Sequence, residues 1–578
     1  MESITAEITL PKKQLPLFPS VTDDELLSYG VPPDWLALVK DANEDSLLEL
    51  VEHLPQEAAE ALLELATGGK PQPAIASKPG LDPFEHPDAL RRFRVMTDVD
   101  ALRQALDYPW DKWTVFLHPA QRQLIEREYT GPARVSGSAG TGKTIVALHR
   151  AVFLARKWPE CRVLLATFSE ILARALHDRL RRLVSSEPHL AERLEVGSLT
   201  AVGIRLYTQK FGMPKLLNSE QLFKIVDDVA SALPTTKFST SFLANEWWEI
   251  VDTWQLSSWE SYRDVRRLGR KTRLSEKLRQ TLWAIFAEVN DRVSAGGWIS
   301  NAGLFTRLAG TFKAERRSPF DHIVIDESQD ITASQLGFLA SLAASKPEAL
   351  FFAGDLGQRI FQTPFSWKAV GVDIRGRSRT LTVNYRTSHQ IRQHADHLLG
   401  PEVADVDGVS EIRKGTISVF NGPAPEFNEY ADERVEAEEV SKWIAARLAE
   451  GVSTNEIGII VRSGHELARA KRAVELTGKG CRVLDDQTTS TGTGISICTM
   501  HLAKGLEFRS VVVMACDDQI VPLQQRIEEI TDEADLEEVY ATERHLLYVA
   551  ITRARDHLLV SSAGAASEFM DDLRQKIG

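Results

Sequence analysis

Four cysteines in 578 residues, Cys161, Cys481, Cys498 and Cys516, leave little material for a disulfide framework, and no Cys-x-x-Cys pair points to zinc. A reducing cytoplasm is the expected setting. No apolar stretch near the N-terminus resembles a signal peptide, and no apolar run approaches the roughly 20 residues that span a bilayer. Internal repeats and low-complexity tracts are missing as well. Positive net charge is also lacking. The formal charge is −13, which taken whole argues against a polyanionic partner. The distribution says otherwise, because residues 1–70 hold 14 acidic and 4 basic side chains, a net of −10 that leaves only −3 for the other 508. Residues 263–279 (RDVRRLGRKTRLSEKLR) hold eight basic and two acidic side chains, and a second basic stretch, ILARALHDRLRRL, occupies 171–183. Screening confines each charge to about 8–10 Å, so local patches decide what a surface attracts. Either run also fits a solvated helix face.

What is present is a globular composition, 43% hydrophobic and 26% charged, with length for three or four domains. Residues 22–67 read as short amphipathic helices separated by Gly and Pro. Five prolines between Lys70 and Asp88 then suggest an extended linker. Beyond it, apolar runs rich in β-branched residues (CRVLLATF, HIVIDES, LFFAGD, TLTVNYR, EIGIIVRS, ISICTMH, SVVVMAC) alternate with helical patterns. Such alternation predicts an α/β fold with parallel sheets covered by helices. Residues 206–300 interrupt it with an α-rich block holding six of the twelve tryptophans.

The stretch SGSAGTGKT (136–144) joins a short predicted strand to a predicted helix. Its glycines Gly137, Gly140 and Gly142 let the backbone curl, with Ser138 and Thr141, until consecutive N–H groups face an anion at a helix N-terminus. That chemistry suits ATP: Lys143 would reach the outer phosphates and Thr144 would hold Mg²⁺. HIVIDESQD ends in two adjacent carboxylates, Asp326 to hold Mg²⁺ through water and Glu327 to activate the attacking water. Asp355 and Gln358 follow the next apolar run, where a glutamine could sense the γ-phosphate. TLTVNYRTS and LLYVAITRARD place Arg386 and Arg553 at the ends of two further runs. Guanidinium groups offset the charge that grows during phosphoryl transfer, although either arginine alone also fits a structural ion pair.

In order, SGSAGTGKT, TFSEILARAL, DESQD, GDLGQRIF, LTVNYRTS, TMHLAKGLEF and LLYVAITRA resemble the helicase motifs of the superfamily 1 DNA helicases of the UvrD/Rep type, over about residues 115–565. The resemblance implies two RecA-like lobes with ATP between them, and single-stranded DNA crossing both lobes. It also implies movement toward the 5′ end of that strand. It assigns adenine to Gln121 in LHPAQ, base stacking to Tyr385, the γ-phosphate to Arg386 and, from the second lobe, to Arg553, and the ribose to Glu507 in KGLEF. On the DNA track it implies stacking by Phe168, Phe361 and Trp367 and backbone contact by Thr499 and His501. Arg375, Arg377 and Arg379 are further phosphate candidates. Stacking ignores base identity, which suits a motor on any sequence.

Three departures from the pattern stand out. Trp367 lies nine residues after Gln358, several further than usual. The usual Thr-Phe-His segment is here Ser198-Leu199-Thr200. Only 112 residues separate Arg386 from Thr499, which barely completes the second lobe without the regulatory insertion of larger relatives. The organisation expected is an acidic helical module (1–70), a linker (71–108), a first lobe (109–205 and 301–386) around an α-helical insertion (206–300), a second lobe (387–565) and a tail (566–578). The leading function is an ATP-dependent 3′–5′ translocase or helicase on single-stranded DNA, possible substrates including 3′-tailed duplex. The other is an ATPase switch that signals to a partner protein through residues 1–70, with no membrane involved in either case.

Overall fold

The computed structural model describes residues 17–71 and 117–574, apart from 20, 30, 32–34, 52–53, 55, 68, 70, 118, 186, 233–237, 266–274, 344–345, 359–364, 400–401, 409, 413–415, 420, 485–493 and 529–532. Phe361, nearly all of the expected linker and most of the basic run 263–279 lie outside the described residues. The chain divides into two compact units, Met1–Arg122 and Gln123–Gly578.

In the first unit, four short helices (Asp23–Ser28, Leu36–Lys40, Glu44–Val51 and Gln56–Ala66) enclose Phe18, Leu26, Val39, Leu54, Ala58 and Leu62. The first helix opens on a reciprocal cap. Thr22 Oγ1 accepts from the Glu25 amide at 3.3 Å, and the Glu25 carboxylate accepts from the Thr22 amide at 2.9 Å.

The second unit holds two six-stranded parallel sheets. In the first run β1 (Ala133–Gly137), β2 (Val163–Thr167), β3 (Leu194–Ser198), β4 (His322–Ile325), β5 (Leu350–Ala353) and β6 (Ser378–Leu381), in the order β3-β2-β4-β5-β1-β6. Strands β1, β2, β4 and β5 are buried at every position. Helices cover both faces of such a sheet, so its strands read as unbroken apolar runs.

Between β3 and β4 the described elements are helices, the first Leu199–Phe211 and the last Asn301–Glu315, and those between them have a core of their own built from Leu222, Val226, Trp247, Tyr262, Leu282 and Phe286. This is the helical insertion expected from sequence, and it contains a π-helical turn at Trp247–Asp252.

A short strand β7 (Val383–Asn384), a hairpin β8 (Glu402–Ala404) with β9 (Ser410–Ile412), and β10 (Ile417–Ser418) pairing with β7 lead to the second sheet. Its strands are β11 (Glu426–Tyr430), β12 (Ile457–Val461), β13 (Cys481–Val483), β14 (Ile495–Thr499), β15 (Phe508–Val513) and β16 (Ala554–Ala563), ordered β11-β16-β15-β12-β14-β13. The α/β class with large parallel sheets is therefore as the sequence predicts. The run LLYVAI, whose type the sequence left open, is the end of a helix, Glu533–Ile551. Leu546 to Ile551 are all buried there, and a helix apolar all round loses the periodicity that separates it from a buried strand. Among the described residues no helix is long and apolar enough to cross a membrane.

Candidate active site between two sheets

The glycine loop leaves the C-terminal end of β1 and enters the helix Lys143–Lys157, with Gly142 as its N-cap. Gly140 and Gly142 both have φ 83°, in the left-handed region where a side chain is strained. At Gly140 an added Cβ would also collide with the Asn384 amide and with Arg386. Lys143 Nζ donates to the carbonyls of Gly137 (2.7 Å) and Ser138 (2.9 Å), and it stands 3.6 Å from Asp355 Oδ2. Thr141 Oγ1 donates to the Ser138 carbonyl at 2.9 Å. The buried Ser138 Oγ finds no hydrogen-bond partner among the described residues.

Asp326 and Glu327 follow β4. Burial, then the neighbouring Glu327 carboxylate, push the Asp326 carboxyl up to about 7, against a hydrogen bond from the Thr144 hydroxyl. Two hard oxygen donors thus meet at one point beside an acidic pair, a set that fits Mg²⁺. Glu327 has φ 55°, unusual outside glycine. Its carboxylate is held by Gln329 Nε2 at 2.6 Å, while Gln329 Oε1 accepts from the Asp355 amide at 2.9 Å. Asp355 in turn accepts from Gln358 Nε2 at 2.8 Å.

From the second sheet come Glu507, just before β15, and Arg553, just before β16. The C-terminal edge of the first sheet therefore faces residues that precede strands of the second. Arg553 Nη2 donates to Gln358 Oε1 at 3.0 Å, and its Nε donates to the Val549 carbonyl at 2.9 Å. Burial, and then Arg386, push the Arg553 guanidinium down to about 10, so it stays cationic at neutral pH. Arg386 Nη1 donates to Glu507 Oε1 at 2.7 Å, and its Nη2 to the Thr552 carbonyl at 3.2 Å. Burial opposes ionisation of Glu507, yet Arg386 holds its carboxyl below the ordinary glutamate value. The half-buried Tyr385 donates its amide to the Gly140 carbonyl at 2.9 Å, and burial raises its hydroxyl pKa.

Besides Gln329, Asn384 and Lys504 with its partner Asp330 belong to this network with no role assigned from sequence. Lys504, buried in the second sheet's part of the chain, donates to Asp330 and to the Gln358 carbonyl (2.8 Å) and lies 4.0 Å from Glu327. Asn384 donates from Nδ2 to the Ala139 carbonyl at 2.8 Å, and its Oδ1 accepts from the amides of Arg386 (2.9 Å) and Thr387 (3.0 Å). Lys504 sits in HLAKGLEF and Asn384 in VNYR, so motif membership was the available signal.

The structure thus brings together Gly137 to Thr144, Asp326, Glu327, Gln358, Tyr385, Arg386, Glu507 and Arg553. Gln121 lies on the helix Pro119–Glu126, at the end of the first unit. The candidate DNA residues are dispersed. Phe168 follows β2 with 38% of its surface exposed. Trp367 is half-buried, its ring 4.8 Å from Phe352 and 5.9 Å from the Arg134 guanidinium. Thr499 ends β14, and His501 just beyond it is pushed down to about 4 by burial and then by Arg462. Ser198 caps the helix Leu199–Phe211 and donates to Glu170.

Comparison with known proteins fits this geometry. Residues 117–367 match the UvrD/REP helicase N-terminal domain, and residues 480–565 match the UvrD-like helicase C-terminal domain, together more than half of the chain. The chain belongs to the UvrD/Rep helicase family. It is 22% identical over 561 residues to the ATP-dependent DNA helicase UvrD2 of Mycobacterium tuberculosis, covering 75% of this chain and 77% of the relative. It is 25% identical over 271 residues to UvrD1 of Mycobacterium leprae, covering 42% and 34%. A shorter match, 40% identical over 81 residues (14% and 10%), joins it to PcrA of Staphylococcus aureus. Family membership makes ATP-dependent DNA helicase chemistry the activity class, with ATP and DNA as its substrates.

Proposed function

We propose that this UvrD/Rep family member is a 3′–5′ translocase on single-stranded DNA that uses ATP bound between the two sheets and acts on 3′-tailed duplex. The observation that carries the reading is the reach of Arg553, from the second sheet, to Gln358 on the first. A guanidinium placed there makes catalysis depend on closure of one lobe on the other, which is how hydrolysis becomes displacement. The proposed polarity, toward the 5′ end, is supported by the resemblance of the motif order to UvrD/Rep helicases. The proposed lobes are 109–205 with 301–386, around the insertion 206–300, and 387–565. Residues 1–70 form an acidic module suited to a protein partner, and the cytoplasm is the proposed compartment.

In the proposed mechanism the loop amides and Lys143 hold the phosphates. Tyr385 stacks on adenine and Glu507 holds the ribose, and the motif LHPAQ assigns an adenine contact to Gln121. Thr144 and Asp326 would hold Mg²⁺, which when bound neutralises phosphate charge. Glu327 orients the attacking water and accepts its proton. Gln358 senses the γ-phosphate, and Arg386 and Arg553 offset the charge developing on it. Phe168 and Trp367 support the strand, with Phe361, Thr499 and His501 completing the track. Steady-state ATPase rate measured against single-stranded DNA, single-stranded RNA and blunt duplex tests the reading. Strong stimulation by single-stranded DNA that weakens with salt, with unwinding of a 3′-tailed but not a 5′-tailed duplex, is expected. A rate indifferent to all three would overturn it in favour of a partner-gated switch.

A further inference from the structure

Arg375, Arg377 and Arg379, further phosphate candidates in the sequence, lie at the edge of the first sheet away from the glycine loop. Strand β6 runs parallel to β1, with Arg134 opposite Ser378. The segment 373–377 therefore lies beside residues 129–132, at the N-terminal edge of the sheet. The glycine loop and Phe168 leave the C-terminal edge. A five-residue strand separates the two edges by roughly 15 Å at about 3.3 Å per residue.

At the N-terminal edge is a cavity of about 310 Å³ lined by Arg127, Glu128, Tyr129, Thr130 and the 375–379 segment. That volume is at the lower end of the roughly 300–1,000 Å³ of small-ligand sites. Its acidic neighbours are already engaged. Glu128 pairs with Lys157 at 2.7 Å, and Asp373 pairs with Arg375 at 2.6 Å. Arg377 is fixed as a scaffold: Nε donates to the Pro132 carbonyl at 2.9 Å and Nη2 to the Asp373 carbonyl at 2.5 Å. Arg127 and Arg379 differ. Among the described residues neither makes an ion pair, and Arg379 gives one bond, to the Ser378 carbonyl at 2.9 Å. Arg127 stands over the buried Tyr129 ring at 6.0 Å, a ring that Arg150 also faces at 5.1 Å, so the pocket pairs an aromatic side chain with the two exposed cations Arg127 and Arg379.

We propose that this pocket is a second phosphate site of the protein, separate from the nucleotide cleft, in which Arg127 and Arg379 clamp a phosphate ester over Tyr129. Forked donors favour phosphate oxygens. The phosphate comes either from a small phosphorylated molecule or from a DNA backbone, and the two sources are separable by experiment.

The test uses the full chain carrying Lys143→Ala, which disables phosphate capture in the nucleotide cleft, with and without Arg127→Ala/Arg379→Ala. Inorganic pyrophosphate binding is followed by calorimetry, and single-stranded DNA binding by anisotropy across salt concentrations. Pyrophosphate binding weakened at least about tenfold by the double substitution, with an unchanged DNA salt dependence, supports a small phosphorylated ligand. A log–log salt slope shallower by about 0.7 per lost contact supports a DNA backbone phosphate. Arg127→Lys/Arg379→Lys, which keeps the charge, should restore most of either effect. Pyrophosphate binding and salt slope both unmoved by Arg127→Ala/Arg379→Ala would overturn the proposal. The pyrophosphate arm reads out even if the chain binds no DNA, so its failure is distinct from failure of the proposed motor function.

Discussion

Arg553 Nη2 and Gln358 Oε1 are hydrogen-bonded at 3.0 Å across the two sheets, and Gln358 Nε2 passes the link to Asp355 at 2.8 Å. Asp355 is in turn 3.6 Å from Lys143. A chain of polar contacts thus runs from a second-lobe arginine to the glycine loop. Arg553→Ala should lower kcat for ATP by about 10³–10⁵-fold, the loss expected when an arginine that offsets charge in phosphoryl transfer is removed. Gln358→Ala should reduce the DNA-stimulated rate more than the basal rate. Rapid-quench ATPase assays with and without DNA check both, and equal loss of the two rates in Gln358→Ala would refute the linkage.

Glu327 is held at φ 55° by Gln329, an arrangement whose cost is of order 1–3 kcal/mol and which marks the carboxylate as positioned. Glu327→Gln and Lys143→Ala should each abolish turnover while leaving DNA affinity within about twofold. Residual hydrolysis in Glu327→Gln would remove its role as base.

Phe168 is exposed at the end of β2. Phe168→Ala should weaken single-stranded DNA binding by about 1–3 kcal/mol, with unfolding free energy changed by less than about 0.5 kcal/mol. Loss of stability in place of affinity would reassign Phe168 to packing.

Arg469 connects Glu436 and Asp517 (2.7 Å) inside the second lobe, and Glu436 also accepts from Ser561 Oγ at 2.6 Å. Removing the cation leaves the buried Glu436 carboxylate with no opposite charge beside it. Arg469→Met should therefore destabilise the lobe by about 3–5 kcal/mol, read from denaturant unfolding.

His501 titrates below its ordinary value because burial, then Arg462, disfavour the imidazolium. The folded state thus binds fewer protons than the unfolded one between about pH 6.5 and about 4. Its contribution to stability is complete above that window and is lost as pH falls through it, with a slope of at most about 1.4 kcal/mol per pH unit. His501→Gln should flatten that part of the stability profile, and an unchanged slope would exclude His501 as its source.

Much of this was legible in the residues. Each quoted apolar run from CRVLLATF to SVVVMAC contains a strand, because strands of a covered parallel sheet need unbroken apolar sequence. The strands β3 and β11 were not legible. LEVGS and EFNEY alternate polar residues and sit at sheet edges, where burial imposes less pattern. Lys504 was quoted inside a motif, yet nothing in its local sequence distinguishes a buried lysine from a solvated one. Only the fold brings Asp330 and the Gln358 carbonyl to it. The basic pocket was hidden for the opposite reason: its two halves are separated by some 250 positions and are joined only by the pairing of β6 with β1.

Asn384 fastens the Ala139 carbonyl to the amides of Arg386 and Thr387, and at the next residue the Ser388 amide donates to the Arg555 carbonyl at 3.0 Å. The crossing strap between the sheets is therefore pinned at one end to the glycine loop and at the other to the second lobe. In mechanical terms the pivot is mounted on the firing chamber. Thr499 closes the C-terminal end of β14, whereas Glu507 and Arg553 stand at the N-terminal ends of β15 and β16, so the pinned side and the candidate strand contacts lie on opposite edges of the second sheet.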